Sequence, residues 1–359
     1  MNAPTCAELL AQRQVVIVCG TGGVGKTTTS AAIALAAAEA GRRAVVVTID
    51  PAKRLADALG VSRLDNTPTV IDGTWPGVLG ALMLDTKSTF DEVVRRNATD
   101  DDQAERILSS RFYRNVAGTL SGTQDYMAVE KLAELHADGD WDLVVVDTPP
   151  TRDALAFLEA PQMLSRLLDN PIYKLITAGN RGVLGVANRA AQTVVRQLAR
   201  VVGAHVVDEA VAFFQSFDGM ERGFKERAEA TLALMGDERT AFVLVASPRR
   251  DTLDEARYFL DRIRRADLDA AAVIVNRMLP RTGLSVTQAQ TLHTSLADSG
   301  GGGAAQALLD LTTAGEADDD RVADLARAAP NAVLVTVPML ADDIHDIDGL
   351  RVIAELLTR

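Results

Sequence analysis

The segment Gly20-Thr21-Gly22-Gly23-Val24-Gly25-Lys26-Thr27 has the spacing G-x-x-x-x-G-K-[ST], a pattern in which each residue type serves phosphate binding. Glycines let backbone N–H groups approach phosphate oxygens, and a helix starting at the end of the loop adds its positive dipole end. Lys26 offers a point charge to the β- and γ-phosphates, and the Thr27 hydroxyl is a ligand for Mg²⁺. Thr28 extends the binding run into the helix. Asp147 follows the apolar run Leu143-Val144-Val145-Val146, where an acid can hold the Mg²⁺ shell through water. Asp50 closes the apolar run that starts at Ala44, and a carboxylate there can orient or deprotonate an attacking water. Read alone, Asp50-Pro51 is a turn and Asp147 a helix cap; the loop upstream favours the chemical reading. The set predicts a nucleoside triphosphatase using ATP and Mg²⁺. Lys26 and Asp50 are its expected catalytic residues, and Thr27, Asp50 and Asp147 its expected metal shell.

The elements that must position these residues are legible in hydrophobic patterning. Val15–Cys19 is a short β-branched run ending at Gly20, suited to a strand covered on both faces. Thr27 to Ala40 is alanine-rich and free of breakers until Gly41, which predicts a helix; Ala44–Ile49 predicts the next strand. That βαβ unit is followed by expected strands at Leu79–Leu84, Leu143–Val146, Ala241–Ala246, Ala271–Val275 and Ala332–Val337, with helices including Leu253–Arg265 and Ile347–Leu357. The fold expected is α/β, a P-loop NTPase with a mostly parallel, doubly wound sheet. The chemistry-bearing residues would lie at the carboxyl ends of the strands.

Strand patterning disappears between about Pro161 and Met235, where apolar residues take helical spacing: Met163-Leu164-Leu167-Leu168, Val194-Val195-Leu198-Val201-Val202 and Phe213-Phe214-Phe217-Met220-Phe224. Phe90 to Phe112 also reads as a helix. One ATPase domain is therefore expected over 1–359, with a core of 12–86, 117–160 and 237–359 and a helical insertion of 87–116 plus 161–236. Gly300–Gly303 and the acids near Glu316–Asp320 read as a mobile surface connection.

The net charge is −12, which disfavours broad binding to nucleic acid or anionic lipid. Cys6 and Cys19 are the two cysteines, too few for a disulfide framework and without zinc spacing. His136, His205, His293 and His345 are scattered and form no ligand set. The start of the chain does not read as a secretion signal, and no apolar run approaches a bilayer span. The expectation is a cytoplasmic protein, peripheral at a membrane if membrane-associated.

Thr21-Gly22-Gly23-Val24-Gly25-Lys26-Thr27-Thr28-Thr29, Asp50-Pro51-Ala52-Lys53-Arg54-Leu55-Ala56-Asp57 and Asp147-Thr148-Pro149-Pro150-Thr151 together resemble the arsenite-pump (ArsA-like) ATPase family. That family carries a deviant Walker A loop and includes the cytosolic ATPases that target tail-anchored membrane proteins. The resemblance implies that Asp50 begins switch I, that Asp147 begins switch II, and that Asn276 and the loop at Pro338-Met339-Leu340 read adenine. It also implies an ATPase that couples ATP binding and hydrolysis to dimer closure. The work driven would be anion transport through a membrane permease, or delivery of an apolar client segment that the helical insertion covers. For the Met and Phe stripes of that insertion, packing of its own core is the simpler reading.

Four departures qualify the resemblance. Thr21 replaces the lysine that, in the family, reaches across the dimer to the partner's ATP. No C-x-x-C is present to hold a zinc at a dimer interface, and the paired cysteines of an arsenite site are absent. Arg152-Asp153 stands where targeting members often have Gly-His. The Thr21 exchange leaves two assemblies open, a homodimer and a heterodimer with a related lysine-bearing subunit. It also leaves open a nucleotide-gated regulatory subunit with little hydrolysis of its own. A ParA/MinD-type positioning ATPase would need a basic or membrane-binding face, which the charge disfavours. A signal-recognition GTPase would need a guanine-reading acid where Val275-Asn276-Arg277 stands.

Overall fold

The computed structural model describes residues 5–50, 54–111, 113, 123–149, 169, 204–217, 219–298 and 300–359. The chain divides into two compact units, residues 1–83, 138–155 and 238–359, and residues 84–137 and 156–237.

The first unit is built on an eight-stranded sheet. Its strands are β1 (Val15–Gly20), β2 (Arg43–Thr48), β3 (Thr69–Val70), β4 (Val78–Met83), β5 (Leu143–Asp147), β6 (Thr240–Ala246), β7 (Ala270–Met278) and β8 (Val333–Pro338), in the order β3-β4-β2-β5-β1-β6-β7-β8. All neighbours run parallel except the two-residue β3, which pairs antiparallel with β4. Val15–Cys19 and Leu143–Val146 are essentially inaccessible to solvent, because parallel strands need helices on both faces. The chain leaves β1 toward β2 on one side, while β6, β7 and β8 build outward on the other. The carboxyl end of β1 therefore lies at the crevice where doubly wound sheets bind ligands.

Helices α1 (Cys6–Gln12) and α2 (Lys26–Glu39) flank β1. Sequence patterning missed α1. A capping box starts it: the Thr5 hydroxyl accepts from the Glu8 N–H at 3.2 Å, and the Glu8 carboxylate accepts from the Thr5 N–H at 2.8 Å. The half-buried Arg42 then donates to the carbonyls of Leu10, Arg13 and Asp142 at 2.5–2.6 Å, tying α1 to the sheet.

The expected mobile connection at Gly300–Gly303 and Glu316–Asp320 is a correction. Gly302–Ala328 forms one 27-residue helix. Glycine and acid clusters resemble a linker in composition, but Ala305, Thr312, Val322 and Leu325 recur at helical spacing and are buried. Asp318 is also buried, held by Arg321, whose Nε donates to the Pro248 carbonyl at 2.9 Å.

The second unit contains helices Thr86–Asn97, Asp101–Ser109, Thr123–Asp138, Ala204–Ser216 and Glu221–Met235 among the described residues. The helical segment expected over Phe90–Phe112 holds two helices, Thr86–Asn97 and Asp101–Ser109, among the described residues. Asp100 breaks it by accepting from the Gln103 N–H at 2.7 Å as a new N-cap. The helix Thr123–Asp138, expected with the core range 117–160, clusters here as far as Ala137. Phe213, Met220 and Phe224 are buried in this unit, and Phe213 meets Phe217 at 4.9 Å and Tyr113 at 6.3 Å between ring centroids. The stripes Met163–Leu168 and Val194–Val202 lie outside the described residues. No helix among the described residues is long and apolar enough to cross a membrane.

Candidate functional site

The loop from Gly20 to Gly25 joins β1 to α2, and two of its glycines are required by what surrounds them. Gly20 has φ +147°, and a Cβ there would lie 2.2 Å from the Val245 carbonyl oxygen of β6. Gly25 has φ +96°, and a Cβ would lie 2.4 Å from Asn276 Nδ2. Both positions demand a left-handed backbone and close approach, which only glycine tolerates. Gly22 and Gly23 are exposed on the rim, and Val24 is buried beneath it.

Lys26 opens α2 and is buried to 7% exposure. Its ammonium donates to the Thr21 carbonyl at 2.9 Å. Burial holds its pKa below the ordinary lysine value, and Asp147 opposes that shift most strongly. Thr27, one residue on, donates its hydroxyl to Asp147 Oδ2 at 2.7 Å. The Thr48 hydroxyl donates to the same oxygen at 2.9 Å and accepts from the Asp50 N–H at 3.3 Å. Thr48 and Asp147 are register partners on adjacent strands, so the contact follows from sheet pairing.

Thr48 was not singled out from the sequence. The only signal was one hydroxyl in an otherwise apolar run, which β-branching explains equally well.

Asp147 is 1% exposed. Burial raises its pKa, and the hydrogen bonds from Thr27 and Thr48 oppose the rise. Its Oδ1 is buried without a hydrogen-bond partner. A desolvated carboxylate with one bare oxygen beside a threonine hydroxyl is a donor set suited to a hard divalent cation. No cluster of three or more His, Cys, Asp or Glu that could hold a metal exists among the described residues. The site therefore fits a Mg²⁺ whose remaining positions are filled by water and substrate oxygens.

Asp50 lies just beyond β2, half-buried, with Arg54 Nη1 3.9 Å from its Oδ2. The next residues described are Arg54–Ala58, a short helix anchored by the buried Leu55 and Ala58. The strand ends thus bring together Lys26, Thr27, Asp50 and Asp147.

The residues expected to read adenine, Asn276 and Pro338, lie on β7 and β8. Asn276 Nδ2 donates to the Val24 carbonyl at 2.9 Å, and Oδ1 accepts from the Arg277 N–H at 2.8 Å. Its amide braces the phosphate loop, and Arg277 follows with a left-handed φ of +62°. Pro338 ends the edge strand β8 beside Met278. That is three strands from β1, roughly 14 Å at the usual strand spacing. Thr28 is half-buried on α2. Thr21, at the lysine position of the family loop, has its hydroxyl buried without a partner.

Residues 13–294 match the anion-transporting ATPase family. The chain belongs to that family. Among relatives of this anion-transporting-family ATPase, ATPase ARSA2 of Chlamydomonas reinhardtii is 26% identical over 284 residues, 78% of this chain and 72% of that one. ATPase get3 of Schizosaccharomyces pombe is 24% identical over 279 residues, 77% of each chain. ATPase GET3 of Malassezia globosa is 26% identical over 278 residues, 77% of this chain and 76% of that one. The ATPase assignment and the α/β fold both follow. Cys6 and Cys19 are free and buried, and burial pushes their thiols up to about 11 and about 12. They are therefore protonated at neutral pH and poor ligands for a soft metal or metalloid centre such as As(III).

Proposed function

We propose that this ATPase hydrolyses Mg·ATP at the carboxyl ends of β1, β2 and β5. The observation that carries the reading is the Thr27–Asp147–Thr48 hydroxyl–carboxylate cluster beside the buried Lys26. Loop N–H groups cradle the phosphates, and Lys26 exchanges the Thr21 carbonyl for β- and γ-phosphate oxygens. Thr27 and Asp147 would hold the Mg²⁺, which would supply charge neutralisation for the phosphate oxygens. Asp50 accepts a hydrogen bond from the attacking water and takes up its proton as the water oxygen bonds to the γ-phosphorus. The bond from that phosphorus to the β,γ-bridging oxygen breaks, and its electrons leave with ADP. The products are ADP and inorganic phosphate.

The expected work is dimer closure coupled to anion transport at a membrane permease or to delivery of an apolar membrane segment. This rests on family membership and on the second, helical unit. The chain would act in the cytoplasm, peripherally at a membrane. Asp50→Asn tests the chemistry. Fluorescent-ATP binding should persist while phosphate release falls at least about a hundredfold; unchanged release removes Asp50 from the mechanism.

Thr21 favours a second reading, a nucleotide-gated subunit that turns over efficiently only beside a related chain bearing the loop lysine. Phosphate release by the purified chain, compared with release by the complex isolated from native cells, separates the two.

A further inference from the structure

Transition-state charge on a transferring phosphoryl group calls for a cation beyond the loop lysine. At position 21 this chain has a threonine whose hydroxyl is turned into the protein and buried, so the loop rim provides none. Arg54 stands elsewhere at the site. Its guanidinium lies 3.9 Å from Asp50, four residues back along the chain. The backbone beneath it is fixed by Leu55, which is 1% exposed, whereas the Arg54 side chain is 66% exposed. The anchor is buried and the head is exposed. Arg54 also acts on Lys26, lowering its proton affinity as a like charge does, so the two cations share one electrostatic neighbourhood. By contrast, Arg249, at the end of β6, is engaged by Asp251 through two contacts at 2.9 and 3.2 Å.

We propose that Arg54 supplies the transition-state cation of this chain in cis, swinging from Asp50 onto the γ-phosphoryl oxygens as the P–O bond to ADP breaks. Its pair with the half-buried Asp50 is long, at 3.9 Å, and its own head is open to solvent, so releasing it costs little. The planar guanidinium can donate to two phosphoryl oxygens at once. The proposal rests on the ATPase reading with Asp50 as the water-positioning carboxylate.

The test compares the full-length wild type with Arg54→Ala, Arg54→Gln and Arg54→Lys. Phosphate release is measured together with trapping of Mg·ADP by aluminium fluoride, which mimics the transition state, and by beryllium fluoride, which mimics the ground state. Arg54→Ala and Arg54→Gln should lose about 10³-fold or more in kcat, with KM changed less than about threefold. Aluminium fluoride trapping should vanish while beryllium fluoride trapping persists, and Arg54→Lys should recover part of both. Wild-type turnover and trapping in Arg54→Ala would overturn the proposal, as would equal loss of both kinds of trapping. Mixing Arg54→Ala with excess Lys26→Ala tests the cis geometry, because an arginine acting across a dimer would restore activity in the mixture. Restoration overturns the assignment. Should Asp50→Asn also turn over normally, the ATPase reading of Asp50 fails instead, a result distinct from failure at Arg54 alone.

Discussion

Asp147 is a buried carboxylate with one oxygen shared by two hydroxyls and the other bare. Its folded-state pKa is raised by burial, so the folded chain retains a proton that the unfolded chain gives up. The stability of the metal-free protein is therefore expected to fall as pH rises from the ordinary carboxylate range through that raised value, and then to level off. Asp147→Asn should remove this decline and gain about 1 kcal/mol at neutral pH. The same variant should lose the Mg²⁺-dependent tightening of nucleotide binding. Urea titrations across pH and fluorescent-nucleotide titrations with and without Mg²⁺ check the two halves. A variant no more stable than wild type would mean that the charge is better solvated than its burial implies. Gly25 carries the converse prediction. Gly25→Ala places a methyl 2.4 Å from the Asn276 amide at φ +96° and should cost about 1–2 kcal/mol of stability. Adding Asn276→Ala should relieve the collision but not the backbone strain, so the double variant recovers only part of the loss in thermal melts. Loop glycines, Lys26, Thr27 and the two aspartates were legible because their types and spacing are chemically constrained. Thr48 and the bracing role of Asn276 were not, since each depends on which strand lies alongside.

At the scale of elements, the strands were legible to within a few residues because burial on both faces leaves continuous apolar runs such as Val15–Cys19 and Leu143–Val146. Helices were less so wherever composition and periodicity disagreed. Gly302–Ala328 is the clearest case, a helix whose glycines and acids disguise a buried stripe. Gly315 sits inside it, and a Cβ there would meet nothing within 4 Å. Gly315→Ala should therefore stabilise the protein by about 0.5–1 kcal/mol through lower unfolded-state entropy and higher helix propensity. Urea denaturation measures it, and a loss would show that this backbone is strained where it looks regular. The break at Asp100 was missed for another reason: one side chain capping a backbone N–H decides it, and hydrophobic spacing runs through the break undisturbed.

For the whole molecule, the family match over residues 13–294 spans sequence from both units, while the phosphate-loop and aspartate motifs stand on adjoining strand ends of the first. The boundary of the second unit was less legible, because helices of both units share one periodicity; Thr123–Asp138 illustrates it. Net charge of −12 predicts that association with DNA or anionic vesicles is negligible at physiological salt. Salt-sensitive sedimentation with either would reverse that. Isolation from native cells with nucleotide bound should show either self-dimers or a mixed complex with a lysine-bearing relative, read by mass spectrometry. Self-dimers alone would leave the loop cation to be found within this chain.

The contact between Lys26 and the Thr21 carbonyl bears on selectivity among small solutes. The ammonium already has an acceptor, so an arriving oxyanion gains only the difference between one partner and another. A lone sulfate or inorganic phosphate must displace that carbonyl with few other contacts to offset the exchange. A nucleotide engages the loop amides along its whole polyphosphate and adds the base. On the proposed nucleotide-binding reading, the resting lysine would set a threshold against lone oxyanions and favour ligands long enough to span the loop.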